Sequence, residues 1–367
     1  MHIPFVNLNN QHLSIREELL RKVESIIDKS NFILGEYVSN FESDYSKTSD
    51  SKFSVGVSNG TDALKICLRA LDIRENDEVI IPANTFHATA LAVVSVGAKP
   101  ILVEPNSGTY NIDAKTILPS ISHKTKAIIP VHLYGNPCNM NEIMSLAKEK
   151  SLFVIEDNAQ AQGAIVYGKK TGSFGDINAT SFYPTKNLGA LGDAGAITTD
   201  NHGLYDRALL LRNLGSAQKN VHEIIGQNAR MDALQAALLS VKLRYLEQWN
   251  QERITIADKY IERLKNHPEI ILPNKSLYGK HVFHLFVIRT AKRNLLQSFL
   301  AKKNIQTQIH YPTPIHLQPA FKFLEYKNGD FPITENLSET ILSLPLYIGM
   351  TENEIDYVCE SIIDFYK

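Results

Sequence analysis

The strongest constraint on the fold is a succession of short apolar runs alternating with helical patterns between about residues 53 and 200. Segments 78–81, 100–103, 126–131, 152–155 and 196–199 are too short for helices and lack the alternation of a half-exposed strand. They read as strands buried on both faces. Segments 61–71, 85–96 and 141–150 carry helical patterns between several of them. Strands buried on two faces need a helical layer on each, which predicts an α/β domain with a mostly parallel sheet.

The pattern then changes. No Gly or Pro occurs from Ala229 to His267, and Met231, Leu234, Leu238, Val241, Tyr245 and Trp249 recur at helical spacing. One or two long helices are expected to lead out of the large domain. Beyond Pro268 the text reads as shorter α+β, with a strand over 281–289, a helix over 293–303 and a terminal helix over 351–366. A chain of 367 residues exceeds what one core usually supports. We expect a large domain over 1–245, including an N-terminal helix, and a smaller α+β domain over 246–367.

Bulk charge points to no polyanionic partner. The 38 basic and 39 acidic residues leave a net charge of −1 with no long block of either sign, which argues against nucleic acid or a membrane surface. Cys67, Cys138 and Cys359 lie far apart and lack metal spacing, so buried thiols in a reducing compartment are expected rather than disulfides or a zinc site. The first residues show no basic-then-apolar leader and no stretch is apolar enough to span a bilayer, so a cytoplasmic location is expected.

Three segments carry chemistry. Ser58-Asn59-Gly60-Thr61-Asp62 reads as a turn feeding a helix, where free N–H groups and a hydroxyl can hold a phosphate, although taken alone a plain helix cap is the favoured reading. In Val154-Ile155-Glu156-Asp157-Asn158-Ala159-Gln160 an apolar strand ends abruptly in acidic and amide groups, at the edge where open α/β sheets bind ligands. A carboxylate at Asp157 favours a cationic partner such as a protonated ring nitrogen, or simply caps the next helix. The third segment, 180–195, sets Lys186 in a Gly-rich loop, as a phosphate ligand, a Schiff-base amine or a solvated lysine. Phosphate turn, strand-end Asp, Ser181 and Lys186 in this order make a pyridoxal-phosphate constellation.

With these motifs the chain resembles the pyridoxal-phosphate-dependent nucleotide-sugar aminotransferases of the DegT/DnrJ/StrS group, of fold type I. The likeness also runs through Phe5-Val6-Asn7-Leu8, Phe32-Ile33-Leu34-Gly35 and segments 77–89, 131–135, 228–235 and 310–319. It implies a mostly parallel seven-stranded sheet flanked by helices. It further implies Lys186 as the Schiff-base lysine and proton carrier, Asp157 as the partner of the pyridine nitrogen, Gln160 at the ring hydroxyl and Phe86 stacked on the ring. Gly60, Thr61 and Ser181 would bind the phosphate, joined by Asn228 of a second subunit, so that a homodimer shares its sites. The pattern departs from the group at Asn158, Gln162 and Ala194-Gly195, and Gln162 stands where the group usually has His.

Within the group, segments 181–189, 284–287 and 310–319 most resemble the branch that aminates C3 of dTDP-linked 3-keto-6-deoxyhexoses; the C4 branch tends to have His in place of Tyr183. Tyr183, His310 and Tyr311 would then contact the hexose, and Lys219 or Arg230 the nucleotide diphosphate. The implied donor is L-glutamate, with pyridoxamine 5'-phosphate as the intermediate form of the cofactor and a 3-amino-3,6-dideoxyhexose for surface polysaccharide as the product. Alternatives are aminotransfer at C4, a UDP-linked 3-keto sugar acid as acceptor, and a non-catalytic sensor. The sensor fits poorly with retention of Lys186, Asp157 and Gln160 together.

Overall fold

The computed structural model describes every residue except Lys275 and Leu277. Seven strands form the central sheet: β1 (Phe53–Val57), β2 (Glu78–Pro82), β3 (Lys99–Val103), β4 (Thr125–Ile128), β5 (Phe153–Val154), β6 (Asn178–Ser181) and β7 (Gly195–Thr199). Their spatial order is β3-β2-β4-β5-β6-β7-β1, with β5 and β6 joined through a parallel bridge between Asp157 and Ala179. All run parallel except β7, which is antiparallel to both β6 and β1. This is the fold-type-I arrangement that the resemblance implied.

Alternation along the strands divides the core. Val79, Ile81, Ala127, Ile129 and Ile155 pack on one face against α3 (Gly60–Ala70) and α4 (His87–Ser95). Ile80, Ile128 and Val154 point to the other face, toward Met140 and Ile143 of α5 (Met140–Lys150). Both faces being covered explains why these strands read as continuous apolar runs. Each buried Val or Ile among them contributes about 1.5–3 kcal/mol by leaving water. Before the sheet come α1 (Arg16–Lys29) and α2 (Glu36–Thr48), and after it α6 (His202–Arg212). Phe41 and Tyr45 of α2 pack edge-on against Phe182.

The long apolar pattern resolves into α7 (Ala233–Leu243) and α8 (Leu246–Leu264), broken at Arg244 and Tyr245. A second core forms from Tyr260 of α8, Phe286, Leu296, Leu342, Ile355 and Val358, joined by Ile3 from the start of the chain. We propose the domain junction at 245/246, with Ile3 packed across it. The strand expected over 281–289 is shorter than the pattern suggests. Only Phe286–Arg289 (β8) pairs, antiparallel to Ile341–Leu344 (β9). Before it, the Phe283 N–H bonds the His281 ring at 2.9 Å, and Phe283 adopts a left-handed φ of 44°, so a local turn replaces the ladder. The helix expected over 85–96 begins at His87, with Phe86 as its extended N-cap residue. Among the described residues no helix is long and apolar enough to cross a membrane, and no cluster of His, Cys, Asp and Glu can hold a metal ion.

Candidate active site

A cleft of about 290 Å³ opens at the carboxyl ends of the parallel strands. The structure brings Gly60, Thr61, Phe86, Asp157, Gln160 and Ser181 to its walls, together with Tyr183, Lys186, His310 and Tyr311. The two strand-end acids serve different neighbours. Glu156 is fully buried and turned away from the cleft, accepting from Gly172 N at 2.8 Å, Phe174 N at 2.5 Å and Gly175 N at 3.0 Å. Its other partner is His132 Nε2 at 2.8 Å; Cys138 N–H donates to the opposite ring nitrogen at 3.1 Å, so His132 donates to Glu156 through Nε2. Burial pushes the Glu156 carboxyl up, yet these donors hold it net below its ordinary value.

Asp157 faces the cleft. Its carboxylate accepts from Thr89 Oγ1 at 3.0 Å and Ala159 N at 3.1 Å, and Thr89 also contacts Thr85 Oγ1 at 3.1 Å. Burial pushes Asp157 above its ordinary value, against the two hydrogen bonds and the nearby Lys186. A cation bound beside it restores the ionised form.

Lys186 enters from the loop between β6 and β7. The loop is held at several points: Lys186 N bonds Tyr183 O at 2.8 Å, Ala190 N bonds Phe182 O at 2.8 Å, and Gly189 O accepts from the buried Lys242. Gly189 must lack a side chain, because a Cβ would lie 2.2 Å from Pro184 O. Burial lowers the Lys186 amine to about 8, with Asp157 acting in the opposite direction. A far larger fraction is therefore unprotonated at neutral pH than for a solvated lysine.

The turn at 58–62 is a helix cap that leaves the first amides of the helix open to the cleft. Asn59 caps α3 by accepting Asp62 N at 2.8 Å, and Ser58 and Asn59 both donate to the Asp62 carboxylate, at 2.6 Å and 2.9 Å. Gly60 and Thr61, at the first positions of the helix, border the cleft with N–H groups that have no acceptor four residues back. A Cβ on Gly60 would stand 2.6 Å from Ser181 Cβ, so the glycine lets the helix start approach the end of β6. This donor set fits pyridoxal phosphate: free helix-start amides and hydroxyls for the phosphate, a buried carboxylate for a basic ring nitrogen, and an amine for the aldehyde.

On the opposite wall Gln160 is fixed from both ends, accepting Tyr134 N at 2.6 Å and donating to Tyr311 Oη at 3.0 Å. Phe86 lies 5.2 Å from the Tyr311 ring at 38°, leaving its face toward the cleft partly exposed. His310 bonds Ser343 Oγ at 2.9 Å, and burial with the neighbouring Lys186 lowers it to about 4. Gln162, the departure from the group pattern, donates to Ser181 O at 2.7 Å and so braces the end of β6.

The structure does not bring Asn228, Lys219 or Arg230 to the cleft of their own chain. Lys219 sits at the exposed tip of a hairpin (Ser216–Gln218 with Val221–His222), Asn228 is exposed beyond it, and Arg230 bonds Asn213 Oδ1 at 3.2 Å. Sequence reasoning missed Thr85, Thr89, Thr185 and Asp193, which border the cleft, and left His284 without a role. The Thr85-x-x-x-Thr89 spacing at the start of a helix was the available signal for two of them.

A seven-stranded fold-type-I sheet whose strand ends set a buried carboxylate opposite a desolvated lysine defines a pyridoxal-phosphate-dependent transferase. More narrowly, the chain belongs to the DegT/DnrJ/EryC1/StrS aminotransferase family, whose model matches residues 13–363. It is 46% identical over 360 residues to the dTDP-3-amino-3,6-dideoxy-alpha-D-galactopyranose transaminase of Aneurinibacillus thermoaerophilus, covering 98% of each chain. It is 40% identical over 353 residues to a UDP-N-acetyl-3-dehydro-alpha-D-glucosamine 3-aminotransferase of Acidithiobacillus ferrooxidans, covering 96% of this chain and 95% of that one. The solved structure of S. venezuelae DesV in complex with a ketimine intermediate superposes with a TM-score of 0.98 at 37% identity, covering 100% and 99% of the two chains. The protein is thus a sugar aminotransferase, with pyridoxal 5'-phosphate as cofactor and pyridoxamine 5'-phosphate as its aminated form.

Proposed function

We propose that the chain transfers an amino group from L-glutamate to the C3 ketone of a dTDP-linked 3-keto-6-deoxyhexose, giving a dTDP-3-amino-3,6-dideoxyhexose. The observation that carries the chemistry is the pair formed by Asp157 and Lys186, a carboxylate and an amine whose proton affinities burial moves toward each other. The acceptor is argued from the relative that shares 46% identity and from Tyr183, His310 and Tyr311 standing together at the cleft.

In this reading Gly60, Thr61 and Ser181 hold the phosphate, Phe86 and Gln160 the ring, and Lys186 the aldehyde carbon. The bound cofactor supplies an electron sink for a carbanion. Asp157, braced by Thr89 and Ala159, keeps the ring nitrogen protonated. Lys186 Nζ takes the proton from the donor Cα and later delivers one to the sugar C3. The hydrogen-bonded Tyr311 and His310 orient the hexose, and the low proton affinity of His310 keeps it a neutral partner. Delivery from one face fixes an equatorial amine.

Asn228 and Lys219 complete this site only from a second copy, Asn228 at the phosphate and Lys219 at the nucleotide diphosphate, so the working unit is a homodimer. The test is to incubate the two dTDP-3-keto-6-deoxyhexose epimers with glutamate and enzyme, and to assign the product by mass spectrometry and NMR. An equatorial C3 amine is expected; an axial substituent contradicts the delivery face, and amination of a dTDP-4-keto-6-deoxyhexose in place of both 3-keto epimers contradicts the regiochemistry.

A further inference from the structure

The loop that carries Lys186 packs on α7, and two side chains of that helix bond it. Gln235 Oε1 accepts Leu191 N at 2.9 Å, and Lys242 Nζ donates to Gly189 O. The two lie seven residues apart, two helical turns, and so present the same face. Between them Ala236 and Leu239 share a core with Phe182, Leu188 and Ala190 of the loop. Lys242 is the unusual member of this contact. It is 1% exposed, and its second partner is also neutral: Nζ lies 3.0 Å from His12 Nε2. An ammonium has no lone pair, so His12 accepts at Nε2 and carries its proton on Nδ1. Burial, with Lys242 beside it, lowers His12 to about 4 and keeps the ring neutral. Burial lowers the Lys242 amine to about 8, and no carboxylate opposes the shift. Most of it is still charged at neutral pH.

A buried cation met only by neutral acceptors is a poor source of stability, because the solvation it gives up is only partly returned. The buried guanidinium of Arg212, by contrast, pairs with the Glu42 carboxylate. What Lys242 supplies is direction. The carbonyl it holds belongs to Gly189, which is pressed so closely on Pro184 O that no Cβ fits. Three residues earlier the same turn gives off the Lys186 side chain, with Lys186 N bonded to Tyr183 O at 2.8 Å. We propose that Lys242 is a positioning residue for Lys186, its hydrogen bond to Gly189 O fixing the backbone from which the reactive amine reaches the cleft.

Asn187 anchors the near side of the same turn, donating to Asn250 Oδ1 at 2.8 Å and to Val282 O at 3.1 Å. A single anchor leaves a turn free to pivot about it, and the bond at Gly189, two residues on, stops that rotation. A displacement of about 1 Å at a reacting group is enough to cost up to about 10²-fold in rate. The inference rests on the reading of Lys186 as the amine that meets the cofactor aldehyde.

Lys242→Met keeps the length of the side chain and removes its donors. In the apoenzyme, covalent capture of pyridoxal 5'-phosphate, followed by absorbance, should slow by about 10-fold or more. Pyridoxamine 5'-phosphate has no aldehyde for Lys186 to meet, so its affinity should change by less than about 3-fold. The segment 183–192 of the apoenzyme should exchange its amide hydrogens faster in the variant, read by mass spectrometry. In steady-state assays of the holoenzyme, kcat should fall by about 10-fold with KM for the nucleotide sugar held within about 3-fold. Lys242→Gln, which keeps an N–H donor, should recover at least about half of the capture rate, and it carries the test where Met does not fold. Unchanged capture in Lys242→Met, equal losses of affinity for both forms of the cofactor, or a Gln variant slowed as much as about 10-fold overturns the proposal. Borohydride reduction of the wild-type holoenzyme with peptide mapping tests the reading beneath it: a label on a residue other than Lys186 sinks that reading, whatever Lys242→Met shows.

Discussion

The strand-end wall of the cleft and the hairpin that bears Lys219 are built in opposite ways. At the wall Asp157 and Gln160, and behind it Glu156, have their polar atoms engaged by backbone or side chains within the same chain. The hairpin residues Gln218, Lys219 and Asn220 are exposed, and Val221 and Ile225 present apolar surface to solvent. A chain pre-organises groups whose partners it contains; groups left bare on a protruding turn await a surface it does not contain. The wall should therefore fail through chemistry or folding when altered, and the hairpin through assembly.

The largest effect is expected at the amine. Lys186→Ala should lower turnover by about 10²–10⁴-fold or more while leaving the thermal midpoint near that of the parent, measured by steady-state assay and calorimetry. Asp157→Asn should cost roughly 10²-fold or more in kcat, since a neutral amide cannot stabilise a protonated ring nitrogen. If Asp157→Asn retains full activity, the wall is scaffolding rather than machinery.

Behind the wall the cost should appear in stability. Glu156→Gln leaves buried N–H donors poorly matched and should destabilise by about 3–5 kcal/mol in urea unfolding. The native Glu156 carboxyl is held below its ordinary value of 4.5, so its contribution is complete above that pH and is lost as pH falls through the folded value. The parent should therefore lose stability in acid more steeply than Glu156→Gln. Thr89→Val removes one hydrogen bond to Asp157, which raises its proton affinity further and should shift the acid limb of the kcat profile to higher pH.

The smallest effect on stability is expected at the hairpin, where Lys219→Ala should change unfolding free energy by no more than about 0.5 kcal/mol. Its activity should nevertheless fall, and mixing it with Lys186→Ala chains should restore turnover by pairing one intact hairpin with one intact cleft. Absence of rescue on mixing would show that Lys219 does not serve a partner's cleft.

The sheet and the meeting of Asp157 and Lys186 at one cleft were legible because their signals are local: buried strands leave apolar runs, and Asp157 and Lys186 sit in distinctive segments. Strand β6 was legible only as a β-like segment before the Lys186 loop, without bounds, since Asn178 and Thr180 break the apolar pattern. Asn178 is buried because its amide spans Glu156 N at 3.3 Å and Gly172 O at 3.0 Å, a pairing visible only after folding. Lys242 likewise gave no signal within a helical pattern, because its burial is a property of the walls around it. His284 acquires its place through Asn187, whose side-chain oxygen lies 3.2 Å from the His284 ring, 97 residues distant along the chain.

The reversed direction of β7 has a last consequence. Because β7 begins where its parallel neighbours finish, the segment bearing Lys186 leaves and re-enters the sheet along one rim, without a crossover. Gly195, the first residue of β7, abuts the carbonyl carbon of Asn59, from which a Cβ would be only 2.6 Å away. The reach of the amine and the seat of helix α3 are thereby locked to a single ungrafted backbone position, where one added methyl group would pry both apart.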